Sequence, residues 1–237
     1  MKKMIGVAVL LGLLAAGTST TALAQPPCGT GQIIDWDANG FSWETPTNPA
    51  TNISSAGNAL HVVALVSVFC SPFADLNPND PNTEYTIVFS GLTSGGTDYV
   101  PGFTKIWTTQ YGNGFFDIYA GSPRNAPSYL SMPPPGGTVP ANYQDGTLIL
   151  TGTLANFRTQ IIQSGNNPAN GTFRADYTFT GGTLYSRVAG TGLGLLHGLW
   201  NLSGAPTGYS AHPDGVFDNP PTAVRPSTWG AIKQLYK

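Results

Sequence analysis

The first candidate for chemistry is an oxygen-rich run near the beginning of the sequence. Asp35, Asp37 and Asn39 alternate along this run, and Gly40 follows them. Alternating side-chain oxygens that converge on a hard cation, with a glycine for the sharp turn, are typical of the start of a calcium loop. An EF-hand would need a glutamate at the twelfth position, where Pro46 stands. We interpret the run as a turn whose polar side chains bond their own backbone. A shorter calcium loop is the less favoured alternative.

A second oxygen-rich run follows between residues 71 and 84. Two prolines, Pro78 and Pro81, stiffen it and remove backbone donors. We interpret this run as an exposed loop with many turns, with calcium binding as the less favoured alternative. Its oxygen-bearing residues are Asp75, Asn77, Asn79, Asp80, Asn82 and Glu84.

The remaining residue types give no catalytic motif. Glycoside hydrolysis uses two carboxylates that flank a sugar, and no pair among the twelve acidic residues stands out by its context. A G-x-S-x-G nucleophile motif is absent from the sequence. Tryptophan faces can stack on sugar rings, although the usual role of tryptophan in a β protein is core packing. The five candidates are Trp36, Trp43, Trp107, Trp200 and Trp229.

The amino terminus has the three parts of an export signal, which we assign to residues 1–24. Lys2 and Lys3 precede an apolar run of about 13 residues, and Ala22-Leu23-Ala24 fits the small-x-small cleavage pattern. In an exported chain, two cysteines predict a disulfide, here Cys28–Cys70. We therefore expect a secreted, extracellular or cell-surface protein.

Charge and hydropathy exclude several classes of function. Charged residues make up 9% of the chain, against about 25% in an average protein. The net charge is −2, and the loss of Lys2 and Lys3 would make it −4. Without a basic stripe to neutralise phosphates, nucleic-acid binding is disfavoured. The most apolar later segment, residues 60–70, is too short to cross a bilayer, so we predict no membrane span.

Period-two alternation dominates the rest of the chain. It is clearest in residues 172–180, where Phe173, Ala175, Tyr177 and Phe179 fall on one face. Gly181-Gly182 then predicts a tight turn, with residues 183–188 as the return strand.

Many short strands separated by Gly, Pro and Asn turns predict an all-β fold, an antiparallel β-sandwich of jelly-roll type spanning residues 25–218. Two long loops, 71–84 and 121–146, interrupt it. Other predicted strands cover 31–34, 60–70, 85–89, 103–109, 115–119, 147–154, 157–163, 195–202 and 215–217.

The carboxyl terminus predicts a separate element. Residues 219–226 are rich in proline and indicate an extended tether. In residues 227–237 the apolar side chains recur at helical spacing and predict a short amphipathic helix. This tail either docks on its own domain or is bound by sorting or anchoring machinery. Its layout resembles that of bacterial C-terminal sorting tails, without their LPxTG motif. The predicted interaction residues are Trp229, Ile232, Leu235 and Tyr236.

These observations favour a non-enzymatic extracellular protein used for surface or matrix attachment or for carbohydrate binding. One alternative is a secreted hydrolase acting on polysaccharide or ester substrates, and another is a subunit of an extracellular assembly. No cofactor is expected apart from calcium.

Overall fold

The computed structural model describes residues 28–36, 40–46, 52–127 and 135–219. The described chain is all-β, as predicted, with two single 3₁₀ turns at Ala141–Tyr143 and Tyr185–Arg187. The strands are β1 (Gln32–Trp36), β2 (Gly40–Thr45), β3 (Ala59–Leu65), β4 (Val68–Phe69), β5 (Glu84–Val100), β6 (Thr104–Tyr111), β7 (Gly114–Gly121), β8 (Thr147–Ser164), β9 (Asn170–Gly181), β10 (Gly194–Asn201) and β11 (His212–Asp218).

All strands belong to one antiparallel sheet in the order β2-β3-β5-β6-β8-β9-β10-β11-β1-β4, with β7 beside β5 and β8. Its two ends meet. The chain that forms β1 and β2 pairs with β11 at Asp35↔Val216 and Ser42↔Ala211 on one side. On its other side it pairs with β3 and β4. The sheet therefore closes into a cylinder, which leaves few strand edges exposed.

The predicted sandwich and its jelly-roll connections are not confirmed. The eleven strands form a single sheet rather than two packed ones. Three pairs of consecutive strands lie end to end, namely β1–β2, β3–β4 and β6–β7. The wall of the cylinder therefore has eight strand positions. Each position is adjacent to the one that follows it in the chain, and the last is adjacent to the first. Alternation within single strands predicts which face is buried, but it does not distinguish a curled sheet from two stacked ones.

Aromatic side chains fill the interior of the cylinder. Trp36 is fully buried at its centre, with ring centroids 6.0 Å from Phe173, 5.8 Å from Phe89 and 5.6 Å from Phe217. The inward face of β9 follows the predicted alternation, since Phe173, Ala175, Tyr177 and Phe179 are all buried. A smaller core covers the outer surface of β2, β3 and β5, made by Phe41, Trp43, Val63, Val88, Tyr143 and Tyr209.

The prediction of a return strand directly after β9 is wrong. Residues 183–188 instead form turns around the second 3₁₀ turn at Tyr185–Arg187, and β9 pairs with β10, which begins at Gly194. The cause is the direction in which Gly182 turns the chain, at φ +101°. The Thr183 and Leu184 amides donate to the carbonyls of Leu148 and Ile149, which hold the turn against β8 instead of allowing it to run back along β9.

The predicted disulfide is confirmed. Cys28 and Cys70 are bonded, with their Cα atoms 5.9 Å apart. The bridge lies at the end of the cylinder where β1 begins and β4 ends, which we call the lower end. The Cys70 amide also donates to the Ile33 carbonyl at 2.9 Å, so the disulfide joins two strands that already pair.

The predicted signal (1–24) and tail (227–237), with its four interaction residues Trp229, Ile232, Leu235 and Tyr236, lie outside the described residues, as does the tether beyond Asn219. Within the described ranges, no helix is both long and apolar enough to span a membrane.

Candidate functional site

A polar cavity opens at the upper end of the cylinder, where β2 ends and β3 begins. Its volume is about 160 Å³. The wall consists of residues of β2, β3, β6, β8 and β10, and residues from the segments 52–54 and 202–210 also line the cavity. The principal polar lining residues are Glu44, Ser54, Thr109, Tyr111 and Thr159. Cavities at the mouths of closed sheets are common ligand sites.

A buried carboxylate is the centre of this cavity. Glu44 is 7% exposed. Its Oε1 accepts a hydrogen bond of 2.7 Å from the Tyr111 hydroxyl. Its Oε2 accepts from Ser54 Oγ at 2.8 Å and from Asn58 Nδ2 at 3.0 Å. These three donors are neutral, so hydrogen bonds rather than a counter-charge stabilise the buried acid.

Tyr111 donates to Glu44 in its protonated form. Burial raises the pKa of the Tyr111 phenol well above its usual value, and the nearby Glu44 carboxylate raises it further. The hydroxyl therefore keeps its proton at any ordinary pH, and the hydrogen bond to Glu44 persists.

Hydroxyl groups extend this network from Glu44 across neighbouring strands. Ser54 Oγ lies 2.7 Å from Ser94 Oγ, and the Ser54 amide donates to Thr97 Oγ1 at 2.7 Å. Thr97 Oγ1 in turn lies 2.7 Å from Thr109 Oγ1. These groups form a largely buried polar strip that connects Ser54 with β5 and β6 beside the cavity.

Beyond the cavity the wall continues as a projection that we call the lip. It consists of residues 98–100 of β5, 104–108 of β6 and 162–164 of β8. The segment before β3 contacts β5 only as far as Thr97, through Ser54 and Gly57. The end of β5 extends past this contact, and Tyr99 and Val100 are exposed there.

Two aromatic rings cover the inner face of the lip. Tyr99 and Trp107 are cross-strand partners, their ring centroids are 5.2 Å apart, and their planes differ by 24°. Tyr99 is 44% exposed, whereas Trp107 is partly buried and packs on the main core. Trp107 pairs with Ile161, which lines the cavity. The rings therefore stack beside the cavity mouth, with Trp107 supporting the exposed ring of Tyr99.

Of the three predicted calcium residues, the structure describes only Asp35. Asp35 lies within β1, where Oδ2 accepts a 2.6 Å hydrogen bond from Gln32 Nε2. Asp37 and Asn39 lie outside the described residues. Across the described ranges, no group of three His, Cys, Asp or Glu side chains is arranged to hold a metal. Calcium binding at this run stays a prediction.

The second oxygen-rich run is a loop with local turns, as predicted. Asn77 Oδ1 accepts from the Asn79 amide at 3.0 Å, and Asp80 Oδ1 accepts from the Asn82 amide at 2.8 Å. The Arg187 guanidinium pairs with Asp75 and holds the pKa of that carboxyl below its usual value. These side chains bond the backbone or a cation of their own chain.

The tryptophans differ in burial, and burial decides which of them could contact a ligand. Trp36, Trp43 and Trp200 are buried, which is core packing, and Trp229 lies outside the described residues. Only Trp107 among the described four combines partial exposure with an open neighbouring surface. The residue type marked it as a candidate, but its position on the lip depends on strand pairing that the sequence does not reveal.

Comparison with known proteins finds no matching family model, no similar curated protein and no similar solved structure. The function must therefore be argued from the site itself.

Proposed function

We propose that this protein is a non-enzymatic carbohydrate-binding protein, and that a glycan chain lies on the lip with one part entering the cavity. The observation that carries the proposal is the stacked Tyr99–Trp107 pair, with Tyr99 exposed, beside a cavity lined with hydroxyls. Sugar rings offer an apolar C–H face and a polar hydroxyl rim, and the two halves of this site match them separately.

The size of the cavity supports a ligand that is held mainly on the lip. Its volume of about 160 Å³ is below the roughly 300–1,000 Å³ of pockets that enclose a whole small ligand. A chain end or a branch can enter, while the next ring stacks on Tyr99 and Trp107. Glu44 accepts hydrogen bonds from three protein donors, which hold its carboxylate in a fixed position in the cavity wall.

The location of the protein is part of the proposal. We propose export by the signal in residues 1–24, followed by attachment to the cell surface or its surrounding matrix. The Cys28–Cys70 disulfide supports an oxidising compartment, since such bridges persist mainly outside the cytosol. The C-terminal tail is proposed as the element that sorting or anchoring machinery recognises, or as the joining element of an extracellular assembly.

A glycosidase is the alternative for the same cavity. Among the described residues that line it, Glu44 is the only carboxylate, while hydrolysis uses two within ~10 Å. The other buried glutamate, Glu84, begins β5 at the lower end and accepts the amides of Asn125 and Ala126. Leu92 of β5 is level with Glu44, because Leu60 of β3 pairs with both residues. Glu84 lies eight residues before Leu92, so the two glutamates are separated by roughly 26 Å along the strand direction.

A panel of soluble polysaccharides in native affinity gels tests the proposal. The full-length protein should be retarded by at least one polysaccharide, Trp107→Ala should run unretarded, and Phe115→Ala should behave as wild type. Phe115 is a matched control because it is 55% exposed on β7, away from the lip. Release of reducing sugar from the same polysaccharide would instead support the hydrolase. Equal retardation of Trp107→Ala and wild type would contradict the proposed site.

A further inference from the structure

A second concave surface lies on the outside of the cylinder, over β8, β9 and β10. Its volume is about 520 Å³. The side chains that matter most are Arg158, Arg174, His197, Leu195 and Leu199. Because successive residues of a strand face opposite sides, this surface is separate from the cavity. On β8, Thr159 and Ile161 line the cavity inside, whereas Arg158 and Gln160 line the outer surface.

Two arginines and a histidine lie side by side on this surface. Arg158 is the cross-strand partner of Arg174, and Arg174 is the partner of His197 on the next strand. Directly opposed side chains have Cβ atoms about 5 Å apart, and like charges in this arrangement repel one another. A sheet surface chosen only for stability would place an acid opposite an arginine.

The two guanidinium groups are not neutralised by their surroundings. Within the described ranges, neither Arg158 nor Arg174 makes an ion pair or a side-chain hydrogen bond. Asp176, the nearest acid on the outward face of β9, accepts from Asn156 Nδ2 at 2.6 Å. His197 is oriented from its far side, where Nε2 lies 2.9 Å from Asp218 Oδ2.

Apolar groups border the cationic row. Leu195 and Leu199 flank His197 on β10, and Leu199 is 50% exposed. Part of Phe173 also lines the surface. The concavity therefore offers paired guanidinium donors next to an apolar wall.

We propose that this outer surface binds an amphiphilic organic anion, in which a carboxylate or sulfate group is attached to an apolar body. The anionic group accepts hydrogen bonds from Arg158 and Arg174 and relieves their mutual repulsion, since guanidinium forks match planar or tetrahedral oxyanions. The apolar body covers Leu195 and Leu199. This site is independent of the glycan site on the lip.

Isothermal titration calorimetry with naphthalene-2-sulfonate tests the proposal on the full-length protein. Wild type should bind, and naphthalene-2-sulfonamide, its neutral counterpart, should bind at least about tenfold more weakly because it lacks the charge. A parallel titration with 2-naphthoate distinguishes a sulfate-type from a carboxylate ligand. Inorganic sulfate should bind more weakly than either, and equal affinity for it would overturn the amphiphilic assignment.

Matched variants locate the binding. Arg158→Gln and Arg174→Gln should each weaken naphthalene-2-sulfonate binding by about tenfold, and the double variant should remove its dependence on sodium chloride. Arg124→Gln is the control, because Arg124 is exposed and bonds the Asp80 carbonyl in another part of the surface. Neither single substitution should lower Tm, since each relieves a repulsion. Unchanged affinity in both single variants would overturn the proposal.

Discussion

Removal of one hydroxyl from the cavity network, by Tyr111→Phe, measures how strongly the buried carboxylate depends on its neutral donors. Tyr111 Oη donates to Glu44 Oε1 at 2.7 Å in surroundings where Glu44 is 7% exposed. A hydrogen bond to a charged group contributes about 1.5–3 kcal/mol. The substitution should lower the free energy of unfolding by that amount, because the buried charge loses one of its three donors.

The assay is thermal unfolding of full-length protein followed by circular dichroism, with urea unfolding to confirm the free energy. For a chain of this size, 1 kcal/mol shifts Tm by about 2–4 °C, so Tyr111→Phe should lower Tm by about 3–12 °C. Tyr99→Phe is the matched control. It removes a hydroxyl from a side chain that is 44% exposed, and its effect should stay within about 0.5 kcal/mol. Equal Tm values for the two variants would refute the role assigned to the network.

Three further predictions concern other parts of the molecule. Replacement of both Cys28 and Cys70 by serine should lower the free energy of unfolding by about 4 kcal/mol, estimated from the 42-residue separation and measured by urea unfolding; a loss below 1 kcal/mol would contradict it. A calcium loop at Asp35, the less favoured interpretation of that run, requires that millimolar calcium chloride raise the Tm of wild type but not of Asp35→Asn, and an unchanged wild-type Tm would remove it. Burial lowers the pKa of His61 below 6.5, so the unfolded state binds more protons than the folded state near that pH. The free energy of unfolding should therefore fall as pH decreases through 6.5. His61→Gln should flatten this pH dependence, and equal slopes for the variant and wild type would refute it.

The sequence carries enough information to predict the strands whose environment is uniform along their length. β9 is such a strand, because one face meets the aromatic core and the other meets solvent along all of it. The two cysteines also sufficed for the disulfide. β2 was not predicted, although Phe41 and Trp43 alternate with Ser42 and Glu44. Both of its faces are buried, because its apolar side chains lie in the outer core while Glu44 faces the inner cavity.

Long-range pairing accounts for what the sequence could not predict. Closure of the sheet depends on Ser42 meeting Ala211, and no local pattern specifies that pairing. The cavity has the same origin, because Glu44 and Tyr111 are 67 residues apart. Arg174 was visible as a polar residue of a strand, but its repulsive partner Arg158 could be identified only from the register of β8 and β9.

The central claim is that the Tyr99–Trp107 pair on the lip binds carbohydrate, and titration calorimetry on Trp107→Ala tests it most directly. The titrant is an oligosaccharide prepared from whichever polysaccharide retards the wild type. A large aromatic contact at the centre of a binding site contributes at least about 2 kcal/mol, or roughly thirtyfold in Kd. We predict a loss of that size for Trp107→Ala and none for Phe115→Ala. A Kd for Trp107→Ala within twofold of wild type would contradict the account.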